Sequence, residues 1–225
     1  MEDINAIAVL QDPVRRRLYE YVAAQGREVG RNEAAEAAGV ARTLAAHHLD
    51  KLTEAGLLES GSRRLTGRTG PGAGRPAKVY TRARAEHSVS LPARDYRTAA
   101  ELLAEAAERA GLDAGLRAAA RSRGEALRGT AAPCGGIAEA MEVLAARGYE
   151  PHLEPVEAAP EADADADAAV IRMRNCPFHA VAERFPPLVC GMNLALLEGL
   201  LGTDGPVRAR MDARPGQCCV VVEPS

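Results

Sequence analysis

The sequence predicts an α+β chain in which a helical N-terminal part ends in a two-stranded ribbon and a C-terminal part carries a small antiparallel sheet. Three observations support this. Apolar residues recur at helical spacing through the first 55 residues, two strand-like runs flank a loop rich in Gly, Pro and Arg, and helix and strand patterns alternate after residue 135. We divide the chain into residues 1–85, a helical segment over 86–130, and residues 131–225.

The composition is typical of a globular protein without membrane-spanning segments. Hydrophobic residues make up 47% of the 225 positions, enough for a substantial core. No apolar run approaches the roughly 20 residues that span a bilayer, and residues 1–10 lack the regions of a signal peptide. We therefore expect a cytoplasmic protein without membrane contact.

The N-terminal part contains the signals of closely spaced helices. Asp12 followed by Pro13 marks a helix start, because a capping residue precedes a proline in the first turn. Gly39 supplies a tight turn between two further helices. The predicted helices cover residues 13–25, 31–38 and 41–55. Two helices joined by a glycine turn are typical of a helix-turn-helix.

A ribbon and a basic segment follow these helices. Residues 57–60 and 78–81 read as paired strands, which form a wing beside the helix-turn-helix. Between Ser60 and Ala85 there is no Asp or Glu, but there are seven basic residues: Arg63, Arg64, Arg68, Arg75, Lys78, Arg82 and Arg84. A solvated loop is one interpretation; phosphate binding is favoured by the position after a helix-turn-helix.

The start of the third helix predicts the side chains that read DNA. A recognition helix exposes residues near its N-terminus, and here these are Arg42, Thr43, Ala46 and His47. Arg42 can donate two hydrogen bonds to guanine, whereas His48 is expected at the helix interface. In the wing we expect DNA contacts from Arg64, Arg68, Arg75 and Lys78.

Residues 95–128 are rich in Ala, Leu, Glu and Arg, with breaks near Gly111 and Gly115. This predicts a long helix followed by a shorter one. We expect the segment to carry a homodimer, since symmetric DNA readers are usually two-fold dimers. Leu102, Leu103 and Ala106 could instead be ordinary core.

The remaining chain alternates between helix and strand. Helices are predicted at residues 135–148, 178–185 and 189–201, and strands at 151–156, 169–174, 207–213 and 217–223. The acidic tract over 161–168 reads as an exposed loop.

Four of the five cysteines lie in the last quarter of the chain, as Cys176, Cys190, Cys218 and Cys219. Spacings of 13 and 27 residues are unlike a zinc ribbon. In a reducing compartment we do not expect structural disulfides, so these thiols are either buried core or ligands. Their positions at element ends favour convergence, and a zinc site completed by His179 is an alternative. Cys134 lies apart and is expected to be inert.

Two resemblances sharpen these predictions. Residues 40–58 and the wing segment 74–80 resemble ArsR-like and DeoR-like winged-helix repressors, although Ala41 stands where Ser or Thr commonly caps the recognition helix. With the C-terminal cysteines, nearly the whole chain resembles the SufR-type iron–sulfur-cluster-binding repressors. This implies a 4Fe-4S cluster on Cys176, Cys190 and Cys218.

The fourth ligand stays open: His179, three residues after Cys176, is the candidate, Glu183 is a weaker one, and Cys219 is a further alternative. Adjacent strand residues face opposite ways, so Cys218 and Cys219 should not both reach one cluster. The resemblance favours Cys218 and implies a repressor of cluster-assembly genes that acts as a dimer on a double-stranded DNA operator. The alternative is a winged-helix regulator without a cluster, controlled by an organic ligand, zinc or a partner protein. We do not expect an enzyme, since no catalytic motif occurs.

Overall fold

The computed structural model describes residues 2–63, 76–155 and 169–225. The chain forms two compact units, Met1–Arg94 and Asp95–Ser225. The helical segment after residue 95 thus belongs to the C-terminal unit. In the described ranges, every helix is too short or too polar to span a lipid bilayer. The mixed helix and sheet content confirms the α+β class.

The N-terminal unit is a helical cluster closed by a three-stranded sheet. Its elements are α1 (Glu2–Val9), α2 (Pro13–Gln25), β1 (Val29–Gly30), α3 (Arg31–Ala38), α4 (Arg42–Glu54), β2 (Leu58–Arg63) and β3 (Ala77–Arg82). The strands are antiparallel in the order β1-β3-β2. The core between helices and sheet is centred on Leu18, Leu49 and Leu52, which are fully buried.

Local signals account for the helix boundaries. The Asp12 carboxylate accepts hydrogen bonds from the backbone N–H groups of Val14 and Arg15, which caps α2. Gly39 has φ +64°, a left-handed conformation that costs glycine least, and it ends α3 so that α4 can begin. Ala41 precedes α4 without a side-chain cap. The helix-turn-helix and the wing strands predicted from the sequence are therefore confirmed.

Two elements of this unit were not predicted. Helix α1 is short, and strand β1 has two residues that pair with Val79 and Tyr80 of β3. Such a short strand has no periodicity, so its existence depends on the pairing partner.

The C-terminal unit packs helices on a four-stranded antiparallel sheet. Its elements are α5 (Tyr96–Arg109), α6 (Asp113–Arg128), α7 (Ile137–Ala145), β4 (Pro151–Pro155), β5 (Ala169–Met173), α8 (His179–Ala182), α9 (Pro186–Leu201), β6 (Val207–Met211) and β7 (Val220–Pro224). The sheet order is β4-β5-β7-β6. The acidic tract 161–168, predicted as a loop, lies outside the described residues.

The break near Gly111 is confirmed, since Gly111 has φ +64° between α5 and α6. The predicted order of a long helix and then a shorter one is wrong: α5 has 14 residues and α6 has 16. Gly115 lies inside α6, where helix continues because α6 packs along α9. Helix α9 begins at Pro186 rather than residue 189, as the first turn of a helix accepts proline.

Candidate nucleic-acid interface and cysteine corner

The outer face of α4 presents the predicted DNA-reading side chains. Arg42, Thr43 and His47 are exposed and Ala46 is half-buried. The opposite face of α4, formed by Ala45, Leu49 and Leu52, is buried in the core. The helix thus presents its N-terminal half to solvent, as a recognition helix must to enter a major groove.

His48 lies towards the protein interior. Its ring is half-buried, and Nδ1 is buried without a hydrogen-bond partner among the described residues. Burial lowers the pKa of His48, because desolvation penalises the imidazolium. His48 is thus a neutral packing residue.

A cavity of about 1110 Å³ lies between the start of α4, the β1–α3 region and the base of the wing. It is lined by five cations: Arg27, Arg31, Arg42, Arg63 and Lys78. Four of them are engaged by carboxylates of Glu28, Glu33 and Asp50. Arg42 has no carboxylate partner among the described residues, so it is the lining cation best placed to meet a phosphate or a base.

Asp50 joins the recognition helix to the wing, a role that the sequence did not reveal. Its carboxylate accepts hydrogen bonds from Lys78 Nζ at 2.8 Å and Tyr80 Oη at 2.7 Å, and Arg31 lies 3.3 Å away. Burial raises the pKa of Asp50, but the Lys78 and Tyr80 hydrogen bonds outweigh it, and the pKa is lowered. Burial and the bond to Asp50 raise the pKa of Tyr80 to about 12.

The contacts of Asp50 affect the DNA contact that the sequence predicts from the wing residue Lys78. Lys78 is held by an intramolecular ion pair, so a DNA contact from it requires that pair to be shared or broken. Arg64, Arg68 and Arg75 lie outside the described residues, and their DNA contacts remain predictions.

The four clustered cysteines come from three segments of the C-terminal unit. Cys176 lies in the turn between β5 and α8, Cys190 in the second turn of α9, and Cys218 with Cys219 directly before β7. We call these four residues the cysteine corner. Cys134, by contrast, is buried elsewhere, with its thiol towards the carbonyl oxygen of Gly136.

Two cysteine pairs form within the corner. Cys190 and Cys219 are joined by a disulfide, with Cα atoms 6.3 Å apart. Cys176 and Cys218 form the second pair, since each thiol shifts the pKa of the other. Cys218 and Cys219 therefore have different partners, as expected for neighbours that face opposite ways. The disulfide differs from the expectation of reduced thiols, because folding brings α9 and the start of β7 together.

A buried polar pair supports the corner. Asn193 lies one helical turn after Cys190 and is fully buried. Its Nδ2 donates to Cys218 Sγ at 3.4 Å, and Tyr149 Oη donates to its Oδ1 at 2.6 Å. Interaction with Cys176 lowers the pKa of Cys218, whereas interaction with Cys218 and burial raise the pKa of Cys176. The corner is thus a preorganised thiol site.

His179 is not drawn into the corner. Its ring is two-thirds exposed, with Nε2 3.2 Å from Glu183 Oε1. Within the described ranges, no three His, Cys, Asp or Glu side chains are grouped to hold a metal ion. The zinc site that the sequence left open, on three cysteines and His179, is not assembled in this arrangement.

Comparison with known proteins agrees with the first unit. Residues 10–61 match the family described as a helix-turn-helix domain. No curated protein and no solved structure matches the chain. With a packed helix-turn-helix, an exposed α4 N-terminus and a paired wing, the N-terminal unit is the helix-turn-helix domain of a DNA-binding transcriptional regulator.

Proposed function

We propose that the chain is a repressor of iron–sulfur cluster assembly genes, controlled by a 4Fe-4S cluster held at the cysteine corner. The observation that carries the proposal is the convergence of four cysteines from three segments in a chain that also contains a DNA-binding domain. The resemblance to SufR-type repressors supports it. Loss of the cluster would then release the operator.

The thiol chemistry of the corner suits a cluster, but among the described residues no three of its cysteines are yet grouped around a common metal position. Thiolates are the usual ligands of 4Fe-4S groups. The Cα atoms of Cys190 and Cys219 lie 6.3 Å apart, and Asn193, one turn from Cys190, contacts Cys218. The sulfurs of Cys190, Cys218 and Cys219 therefore lie around the first half of α9. When bound, the cluster would supply an oxidant-sensitive centre that ties these segments together.

We assign Cys176, Cys190 and Cys218 as ligands, and the fourth ligand is a choice between Cys219 and His179. Cys219 already contacts Cys190, whereas His179 and Glu183 are exposed and paired with each other. His179 remains the competing assignment, to be separated by experiment.

The disulfide and the cluster exclude each other, because a sulfur in a disulfide is not a thiolate ligand. Reducing the Cys190–Cys219 bond takes two electrons and two protons, which a dithiol reductant supplies as it becomes a disulfide. We infer that the oxidised corner is a cluster-free state. Cluster assembly should then require prior reduction.

The cluster is tested by anaerobic reconstitution of the full chain after dithiothreitol treatment. We expect about four iron and four sulfide per chain and an absorption band at about 400 nm. Cys176→Ser, Cys190→Ser and Cys218→Ser should each lose most of the iron. Comparison of Cys219→Ser with His179→Ala identifies the fourth ligand.

Cys134→Ser is the matched control and should keep the band, since Cys134 lies outside the corner. A colourless, iron-free wild type after reconstitution would contradict the cluster. DNA affinity that is equal with and without the cluster would contradict its control of repression.

DNA binding is tested with Arg42→Ala. Loss of a base-reading arginine costs about 1–3 kcal/mol, which corresponds to about fivefold to 150-fold in affinity. Fluorescence anisotropy with an operator selected from random DNA measures it. Arg27→Ala, in the same cavity but paired with Glu33, should change affinity much less. Equal losses in the two variants would show that Arg42 has no special contact.

We propose that α5 carries the homodimer. Its exposed face includes Tyr96, Leu102 and Leu103, which is unusual for a monomer surface. Leu102→Glu with Leu103→Glu should turn a dimer into a monomer in analytical ultracentrifugation. Leu153→Glu, at an exposed leucine on β4, is the control. A dimer that survives the double change would place the interface elsewhere.

A further inference from the structure

A second cavity lies within the C-terminal unit, next to the cysteine corner. Its volume is about 390 Å³, within the range of sites for small organic ligands. It is formed by α6, α9, the segment after α7 and the turn before α8. Its lining includes Arg123, Leu127, Arg147, Tyr149, Phe178 and Leu196.

The cavity is lined almost entirely by apolar atoms, and two arginine side chains contribute to its edge. Leu200 and the Tyr149 ring are buried, and Leu127, Phe178 and Leu196 are half-buried. The Tyr149 hydroxyl is already bonded to Asn193. Arg123 and Arg147 are exposed, and neither is paired with a carboxylate in the part of the chain that the structure describes.

Arg123 and Arg147, which have no carboxylate partner among the described residues, line an apolar cavity and so complement one kind of ligand. Guanidinium binds carboxylate in a bidentate manner, and the apolar walls gain free energy by covering a hydrocarbon. A neutral hydrocarbon would leave the arginines unused, and a small anion would leave the apolar walls exposed.

We propose that this cavity binds a small organic anion with an apolar tail, such as a medium-chain carboxylate. The tail packs among Leu127, Leu196 and Leu200, and the carboxylate meets Arg123 and Arg147. This assignment goes beyond the cluster and does not depend on it, because the cavity uses none of the four cysteines.

Occupancy of the cavity can reach the cysteine corner. Pro177 and Phe178 directly follow Cys176, and Tyr149 is linked through Asn193 to the Cys218 sulfur. A ligand that contacts Phe178 and Tyr149 therefore adjoins the segments that carry two cysteines. A bound metabolite would then influence the cysteine corner, in addition to the oxidation or reduction of its thiols.

The probe is decanoate, titrated into the reduced, cluster-free full chain by isothermal calorimetry. We expect saturable binding that is at least about tenfold tighter than that of decan-1-ol. Arg123→Gln with Arg147→Gln should remove this preference, and Leu196→Trp should abolish binding of both probes by filling the cavity. Arg109→Gln, at an exposed arginine on α5, is the matched control and should bind as wild type.

Three results would overturn the proposal. These are no binding of decanoate by wild type, equal affinity for decanoate and decan-1-ol, and unchanged decanoate binding by the double arginine variant. If decanoate fails to bind and Leu196→Trp converts a dimer into a monomer, a second copy of the chain covers the cavity instead. Since the protein carries no cluster here, failure of the cluster proposal leaves the measurement unaffected.

Discussion

Gly124→Ala is expected to destabilise the C-terminal unit by about 3 kcal/mol, because α6 and α9 cross there with their backbones in contact. A Cβ atom at Gly124 would overlap Leu196 O and lie 2.7 Å from Leu200 N. Gly199 makes the reciprocal approach, where a Cβ would overlap Arg121 O. Because the overlapped atoms belong to helix backbones, the added Cβ atom can be accommodated only if α6 and α9 move apart.

The measurement is urea denaturation followed by circular dichroism, with the free energy of unfolding compared between variants. Gly115→Ala is the matched control, since it lies in the same helix with no atom within 4 Å of its added Cβ. It should stabilise the unit by about 0.5–1 kcal/mol, because alanine favours helix. Similar effects of the two changes would show that the close crossing does not constrain the unit.

Arg172→Ala is expected to cost about 3 kcal/mol of stability, since it removes the partner of two carboxylates from a buried site. Arg172 is 1% exposed and pairs with Glu154 and Asp212, and its Nη1 also donates to the Asp212 carbonyl oxygen at 3.2 Å. Arg208→Ala is the control, because Arg208 is exposed and paired with Glu223. It should cost under about 1 kcal/mol.

The same variant should change the pH dependence of stability. The Arg172 hydrogen bond lowers the pKa of Asp212. A carboxylate with a lowered folded-state pKa stabilises the protein above its unfolded pKa of about 4, and this is lost as pH falls through the folded value. Wild type should therefore lose stability more steeply than Arg172→Ala below about pH 4. If the free energy of unfolding falls equally with pH in wild type and Arg172→Ala below about pH 4, the Arg172–Asp212 pair is not the source of the acid sensitivity.

Most of the N-terminal unit could be predicted because its signals are local. The cap at Asp12, the left-handed turn at Gly39 and the spacing of Leu49 and Leu52 each act within a few residues. Strand β1 could not be predicted, since its two residues are strand only through pairing with β3. Asp50 has the same limitation, because Lys78 and Tyr80 are distant in sequence.

In the C-terminal unit, too, some features could be predicted from the sequence and others depend on packing. The chain order of apolar and polar residues was enough to indicate its helices, its antiparallel strands and a concentration of cysteines near the end. Which thiols meet could not be inferred, because Cys190 and Cys219 are 29 residues apart and their contact follows from how α9 packs on the sheet. The spacing of apolar and polar residues along the chain determines which helices and strands can form. The distances between side chains of remote segments are decided only when those helices and strands pack into a shared core.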